Sequence, residues 1–295
     1  MEKEVLFSRE NCQILSDDSC CLNNLEQQEL EVLVVPFWSK KEHLKEPLKK
    51  SLNEKEFVFF VGTTPSISNI NFEVKNAVRL LDKEDKCLSA KKRVKILNTC
   101  CFSGGLGLFL SFFSDYLKRP RSPNEVEAFV QFLTNHIAHF FVEPSSKRWN
   151  HLITIPRIGK VNYKSGKFRG NKGVYSHIAD SFHEYAYNRG EKVWVCASDQ
   201  SKHEAQDLAR HVKHKNPEVE LDLSHDIAKN AVENFSEEII ACFFLSLDFR
   251  EDAPSGRHYE READEIERKR QISRRNITEL TRISEQFKKN PSPSF

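Results

Sequence analysis

The chain predicts an α/β fold: a mixed sheet flanked by helices on both faces, with a C-terminal helical appendage. Short apolar runs rich in Val, Ile and Phe alternate with charged segments carrying Leu at helical spacing. Gly and Pro punctuate the junctions, and a glycine-rich stretch follows one of the strand-like runs. This alternation suits a sheet covered on both sides.

The elements follow in order. Glu4 to Leu15 reads as a short strand, and Leu30-Glu31-Val32-Leu33-Val34-Val35-Pro36-Phe37 as a buried one. Lys40 to Leu52 has helical spacing, and Phe57-Val58-Phe59-Phe60-Val61 is a strand stopped by the turn Gly62-Thr63-Thr64-Pro65. Val74 to Leu81 is short and amphipathic. Arg93 to Asn98 is the next strand, opening into Cys100-Cys101-Phe102-Ser103-Gly104-Gly105-Leu106-Gly107 and an apolar helix over Leu108 to Leu117. Pro120 and Pro123 separate that helix from another at Asn124 to Phe141, capped by Ser122 or Asn124. His151 to Ile155, Val193 to Ala197 and Ile239 to Phe249 read as strands, and Val174 to Tyr187 and His203 to Lys213 as helices. Residues 1–252 form the α/β domain and 253–295 a charged helical appendage with a fraying tail.

Composition bounds the function. The chain has 295 residues, 39% hydrophobic and 30% charged, and a formal net charge of +2, which gives no global attraction to nucleic acid or membrane. No segment has the length of uncharged apolar sequence that a membrane span requires. The eight cysteines, Cys12, Cys20, Cys21, Cys87, Cys100, Cys101, Cys196 and Cys242, fall in no metal-binding spacing, so no metal and no cofactor are expected. Reduced, buried thiols favour the cytoplasm, or the host cytosol for a secreted bacterial effector.

Two loops carry candidate chemistry. Ser165-Gly166-Lys167-Phe168-Arg169-Gly170-Asn171 sets two glycines beside basic residues, a pattern that lets main-chain N–H groups approach an anion. Arg157, Lys167 and Arg169 could pair with phosphate, and Phe168 could stack on a base or anchor the loop. Ser103 to Gly107 offers a second such loop, at the start of a helix whose positive dipole end favours anions. Together they suggest a diphosphate site beyond the carboxyl ends of the strands. His136, His139, His177 and His183 read as surface or edge histidines, and Cys100 and Cys101 as small buried hydrophobes.

Val94-Lys95-Ile96-Leu97-Asn98-Thr99 with Ser103-Gly104-Gly105-Leu106-Gly107 resembles the strand and first glycine-rich loop of macrodomains and poly(ADP-ribose) glycohydrolases. Gly166 to Asn171, the following helix and Val193 to Asp199 resemble that family's second loop, helix and last strand. The resemblance implies ADP-ribose or an ADP-ribosylated protein as ligand. Asn98 would face the ribose, and Ser103, Gly104, Gly105, Gly107, Gly166, Lys167, Phe168, Arg169, Gly170 and Asn171 would wrap the diphosphate. The family's catalytic glutamate pair has no counterpart here. Asp115 lies nearest the matching position and is the candidate catalytic carboxylate for hydrolysis of the ADP-ribosyl linkage. The alternative is a non-catalytic interaction module on an α/β scaffold, whose charged C-terminal helix engages a protein partner.

Overall fold

The computed structural model describes residues 5–36, 39–65, 68–99, 101–146, 149–155, 164–169, 173–176, 178–179, 182, 192–217, 219–223, 226 and 240–245. These belong to one compact unit, Met1–Ala253; the charged appendage lies outside the described residues. The α/β class is correct, but the strands build two sheets.

The first sheet is fully parallel. It comprises β1 (Cys12–Asp17), β2 (Val32–Val35), β3 (Phe57–Gly62) and β4 (Val94–Asn98), in the order β2-β1-β3-β4. Ile14 pairs with both Val32 and Phe59, and Val61 with Leu97. Between the strands run α1 (Asn24–Glu29), α2 (Lys41–Glu54), α3 (Ile70–Glu84) and the short α4 (Ala90–Arg93). Asn23 and Glu26 form a capping box at the start of α1. One face of the sheet, with Leu15, Val58 and Phe60, packs on Leu44, Leu48 and Leu52 of α2 and Val74, Ala77 and Leu81 of α3. The two-residue alternation turns Phe59 the other way, edge-on to Phe113 with ring centroids 5.3 Å apart.

Phe113 belongs to α5 (Gly104–Tyr116), which lies between the two sheets. Leu106, Leu108, Phe109, Leu110 and Phe113 are all fully buried. A helix apolar around its circumference needs cover on every side, and two sheets supply it. Then come α6 (Pro123–His136), capped by Ser122 and Glu125, and a second, mixed sheet. Its strands are β5 (Ile137–Ser146), β6 (Trp149–Ile155), β7 (Lys164–Arg169), β8 (Lys192–Ala197), β9 (Glu220–Asp222) and β10 (Ile240–Leu245), ordered β7-β6-β5-β10-β8-β9. Only the β8–β9 pair is parallel.

Alternation sorts the second sheet's residues as well. Val193, Val195, Ile240 and Cys242 face Ala205, Leu208 and Val212 of α7 (Lys202–Lys215), together with Val174, Ile178 and Phe182. Trp194, Cys196, Phe243 and His139 face the glycines of α5.

Three boundaries differ from the sequence reading. The helix expected to reach Phe141 ends at His136, because Ile137 to Val142 is a β-branched and aromatic run that pairs with β10. The glycine-rich stretch from Gly104 is already the first turn of α5. Lys164–Arg169, expected as part of a loop, is an edge strand paired with β6 in regular antiparallel register.

Candidate functional site

The parallel sheet reverses its strand order at β1, whose neighbours β2 and β3 both follow it in the chain. In open α/β sheets the crevice beyond such a switch point is the usual ligand site. Here the chain leaving β1 reaches Asp17 and turns through Asp18–Cys20, and the chain leaving β3 reaches Thr63 and Thr64.

Asp17 is fully buried and organises both turns. Its Oδ1 accepts from the backbone N–H of Ser19 at 3.1 Å, from the Ser19 hydroxyl, and from Thr63 Oγ1 at 2.9 Å. Its Oδ2 accepts from the Thr63 N–H at 2.6 Å. Burial raises its pKa, and the bonds from Ser19 and Thr63 oppose that rise. Asn71 of α3 donates through Nδ2 to Thr63 O at 3.1 Å, holding the second turn from behind.

The start of α5 closes the crevice. Thr64 N–H donates to Cys101 O at 3.0 Å, and Cys101 N–H to Thr99 Oγ1 at 3.1 Å. This ties the β3 turn to the segment between β4 and α5. Ser103, the residue before α5, is buried, with φ 54° and ψ −139°, a conformation that costs a non-glycine residue about 1–3 kcal/mol. Its hydroxyl lies 3.3 Å from the Cys21 sulfur. Thr64 and Ser103 thus set two buried hydroxyl-bearing side chains beside the positive end of a 13-residue helix. The arrangement can hold an anionic head group at the margin of an apolar interior.

The α5 glycines have a different use from the one expected. A β-carbon on Gly104 would sit 2.7 Å from Cys196 Sγ and 2.8 Å from the Phe243 ring. One on Gly105 would meet His139, and one on Gly107 would meet Cys20 O and Trp194. All three let α5 lie directly on the second sheet.

His139 is correspondingly in the core, not at a surface or edge. Its ring is edge-on to Phe243 at 5.5 Å, and Nε2 has no hydrogen-bond partner among the described residues. Burial lowers its pKa to about 4, against a hydrogen bond to the Ile137 carbonyl that favours protonation.

Of the other sequence candidates, Asn98 ends β4 and is exposed, level with Gly62 and so at the margin of this crevice. Gly166, Lys167, Phe168 and Arg169 are on β7, and β6 separates that strand from β5. Gly170 and Asn171 lie outside the described residues. Asp115 is at the far end of α5, about 16 Å along the axis from Gly104. There it pairs with Lys118 at 2.8 Å and Arg9 at 3.7 Å.

Sequence reading passes over Asp17 and Ser19, takes Thr63 and Thr64 for turn residues and His139 for a surface or edge histidine. The signal for four of them is a hydroxyl- or acid-rich turn directly after an apolar strand: Asp17-Asp18-Ser19 and Thr63-Thr64-Pro65.

No family model matches this sequence, and no curated protein matches it. Solved structures match its fold. A DegV family protein from Thermus thermophilus described for fatty-acid binding superposes with a TM-score of 0.70 at 15% identity, covering 80% of this chain and 100% of its own. A DegV family protein from Corynebacterium glutamicum gives 0.68 at 12% identity, covering 81% and 98%. A stearic-acid-binding protein from Eubacterium ventriosum gives 0.67 at 14% identity, covering 79% and 98%.

The fold is therefore DegV-like, and the macrodomain resemblance is corrected. A strand followed by a glycine-rich helix start is common to many α/β folds, and its glycines here serve helix-to-sheet contact. The expectations of ADP-ribose or an ADP-ribosylated protein as ligand, and of hydrolysis at Asp115, rested on that resemblance and fall with it. The interaction-module alternative rested on the charged C-terminal segment, which lies outside the described residues. No helix among the described residues is long and apolar enough to cross a membrane.

Proposed function

We propose that the chain binds a long-chain fatty acid, as a carrier or presenting protein in the cytoplasm. The observation that carries this reading is the buried pair Thr64 and Ser103 at the N-terminus of α5, beside an apolar interior lined by that helix. The carboxylate accepts hydrogen bonds from these hydroxyls, with the helix dipole favouring its charge. The acyl chain extends from that end of α5 among apolar side chains. The fold supports the same reading, since structures that share it include proteins described as binding fatty acid.

The energetics favour a long chain. Each methylene removed from water contributes about 0.8 kcal/mol, so affinity comes from the tail and orientation from the head group. Organic extraction of the purified full chain, followed by mass spectrometry, tests this directly. A fatty acid recovered near one per protein, and rebinding of stearate to the delipidated protein by calorimetry, are the expected results. Absence of both overturns the reading.

A further inference from the structure

The net charge of +2 conceals a local surplus on the outer layer of the first sheet. At about 100° per residue, α3 turns Val74, Ala77, Val78 and Leu81 into the core and Phe72, Lys75, Arg79 and Lys83 outward in one stripe. Phe72 is 59% exposed, and the three cations are exposed as well. Lys86 follows just past the helix end, and Lys91 and Lys92 belong to α4, which packs on α3. The carboxylates of α3 and the turn after it are engaged elsewhere. Glu73 accepts from the Lys41 N–H at 3.1 Å, Asp82 from the Lys91 N–H at 3.1 Å and Asp85 from the Cys87 N–H at 3.0 Å, while Glu84 pairs with Lys45 at 2.6 Å. The cations of the stripe have no carboxylate partner among the described residues; Arg79 reaches only Asn76 Oδ1, at 3.5 Å.

We propose that this face of α3 docks the protein on a membrane surface rich in anionic phospholipid. Charge sets the sign of the partner, and residue type sets its class. Apart from Arg79, the cations at Lys75, Lys83, Lys86, Lys91 and Lys92 are all lysines. A lysine is a hydrated point charge suited to a diffuse layer of phosphates, whereas protein interfaces favour the planar fork of arginine and are depleted in lysine. Phe72 supplies the apolar contact on the same stripe, its ring entering the head-group region while the cations meet lipid phosphates. The ring also sets which end of the molecule meets the membrane. It follows Asn71, whose side chain holds the Thr63 turn through the 3.1 Å bond to Thr63 O, so Phe72 stands at the crevice end of α3. The proposal goes beyond the ligand reading and stands whatever the crevice binds.

The test sediments the full chain with vesicles of phosphatidylcholine alone or mixed with phosphatidylglycerol, neither containing free fatty acid. The expected result is binding to the mixed vesicles only, weakening with salt as the screening length shrinks from about 10 Å at 0.1 M to about 3 Å at 1 M. Each cation near an anionic surface is worth about fivefold in affinity, so the triple variant Lys75→Gln, Arg79→Gln, Lys83→Gln should bind about a hundredfold more weakly. Phe72→Ser should weaken binding at every salt concentration. All four side chains are exposed, so these variants keep the fold. A triple variant on α7, Lys202→Gln, Arg210→Gln, Lys215→Gln, removes the same charge elsewhere and should bind as wild type does. Failure to bind the mixed vesicles, equal binding to both kinds, or equal loss in the two triple variants overturns the proposal. Capture by a single-stranded oligonucleotide without binding to either vesicle assigns the stripe to nucleic acid and overturns it too.

Discussion

Gly105 of α5 and His139 of β5 are packed so closely that a β-carbon on the glycine would fall on the imidazole Nε2. Neither residue can grow without moving a helix off a sheet. Gly105→Ala is expected to lower stability by about 1–3 kcal/mol, as overpacking does in a well-filled core. Urea unfolding measures this. Combining it with His139→Ala should recover part of the loss, because the second change vacates the space the methyl needs.

The same histidine gives a pH dependence with a defined sign. Its folded pKa of about 4 lies below the ordinary value of 6.5, so the fold prefers the neutral ring. Its contribution is fully present above pH 6.5 and is lost as pH falls toward 4, because only the unfolded chain takes up the proton across that window. The loss approaches about 3 kcal/mol. Stability measured against pH should fall through this window, and His139→Leu should flatten that limb.

Asp17 acts with the opposite sign. Burial raises its folded pKa, so its titration favours folding below the unfolded carboxylate value and withdraws that advantage as pH rises through the folded one. What keeps a buried carboxylate tolerable is its set of donors from Ser19 and Thr63. Asp17→Ala removes the charge but strands those donors, each costing about 1–3 kcal/mol when left unsatisfied. A net loss of about 3 kcal/mol or more in urea unfolding is expected. A neutral outcome would show that the turns after β1 and β3 do not rely on this carboxylate.

Much of the fold is legible from local pattern. Phe57 to Val61 and Val193 to Ala197 are apolar runs too short for helices, and both are strands at nearly those bounds. Periodicity could not tell that the strands divide between two sheets, because pairing is a long-range property of register. It also misread Ile137 to Phe141, which continues the preceding apolar helical spacing yet pairs with β10. The site was half legible. Ser103 stands out in the sequence beside its glycines, which instead serve helix-to-sheet contact, whereas Thr63 and Thr64 look like ordinary turn residues. Only the strand order, with β1 between β2 and β3, makes that turn a crevice wall. A ligand class is not legible from such a helix start, since a helix N-terminus serves phosphate and carboxylate alike.

Chain length separates a lipid site from a general anion site. If the tail supplies the affinity, removing six methylenes from a saturated fatty acid costs about 5 kcal/mol, or some three orders of magnitude in Kd. Calorimetry with acids of graded length should show this slope. Equal affinity for short and long acids would place the binding energy in the head group and contradict the proposed tail.

Ser103 and Asp115 lie at opposite ends of α5, so paired variants test which end carries function. Ser103→Ala removes one hydroxyl beside the proposed carboxylate, and a lost hydrogen bond to a charged group is worth about 1.5–3 kcal/mol. Affinity for stearate should fall about tenfold to a hundredfold. Asp115 has a side chain 55% exposed and contributes ion pairs to Lys118 and Arg9. Exposed pairs are worth about 0–1 kcal/mol, so Asp115→Ala should shift stability by no more than that and leave stearate affinity unchanged. Calorimetric titration of both variants makes the comparison, with urea unfolding to confirm that each is folded. If Asp115→Ala weakened binding and Ser103→Ala did not, the head group would have to lie at the carboxyl end of α5. The helix dipole opposes a carboxylate there, so that result would remove the physical basis of the proposed site.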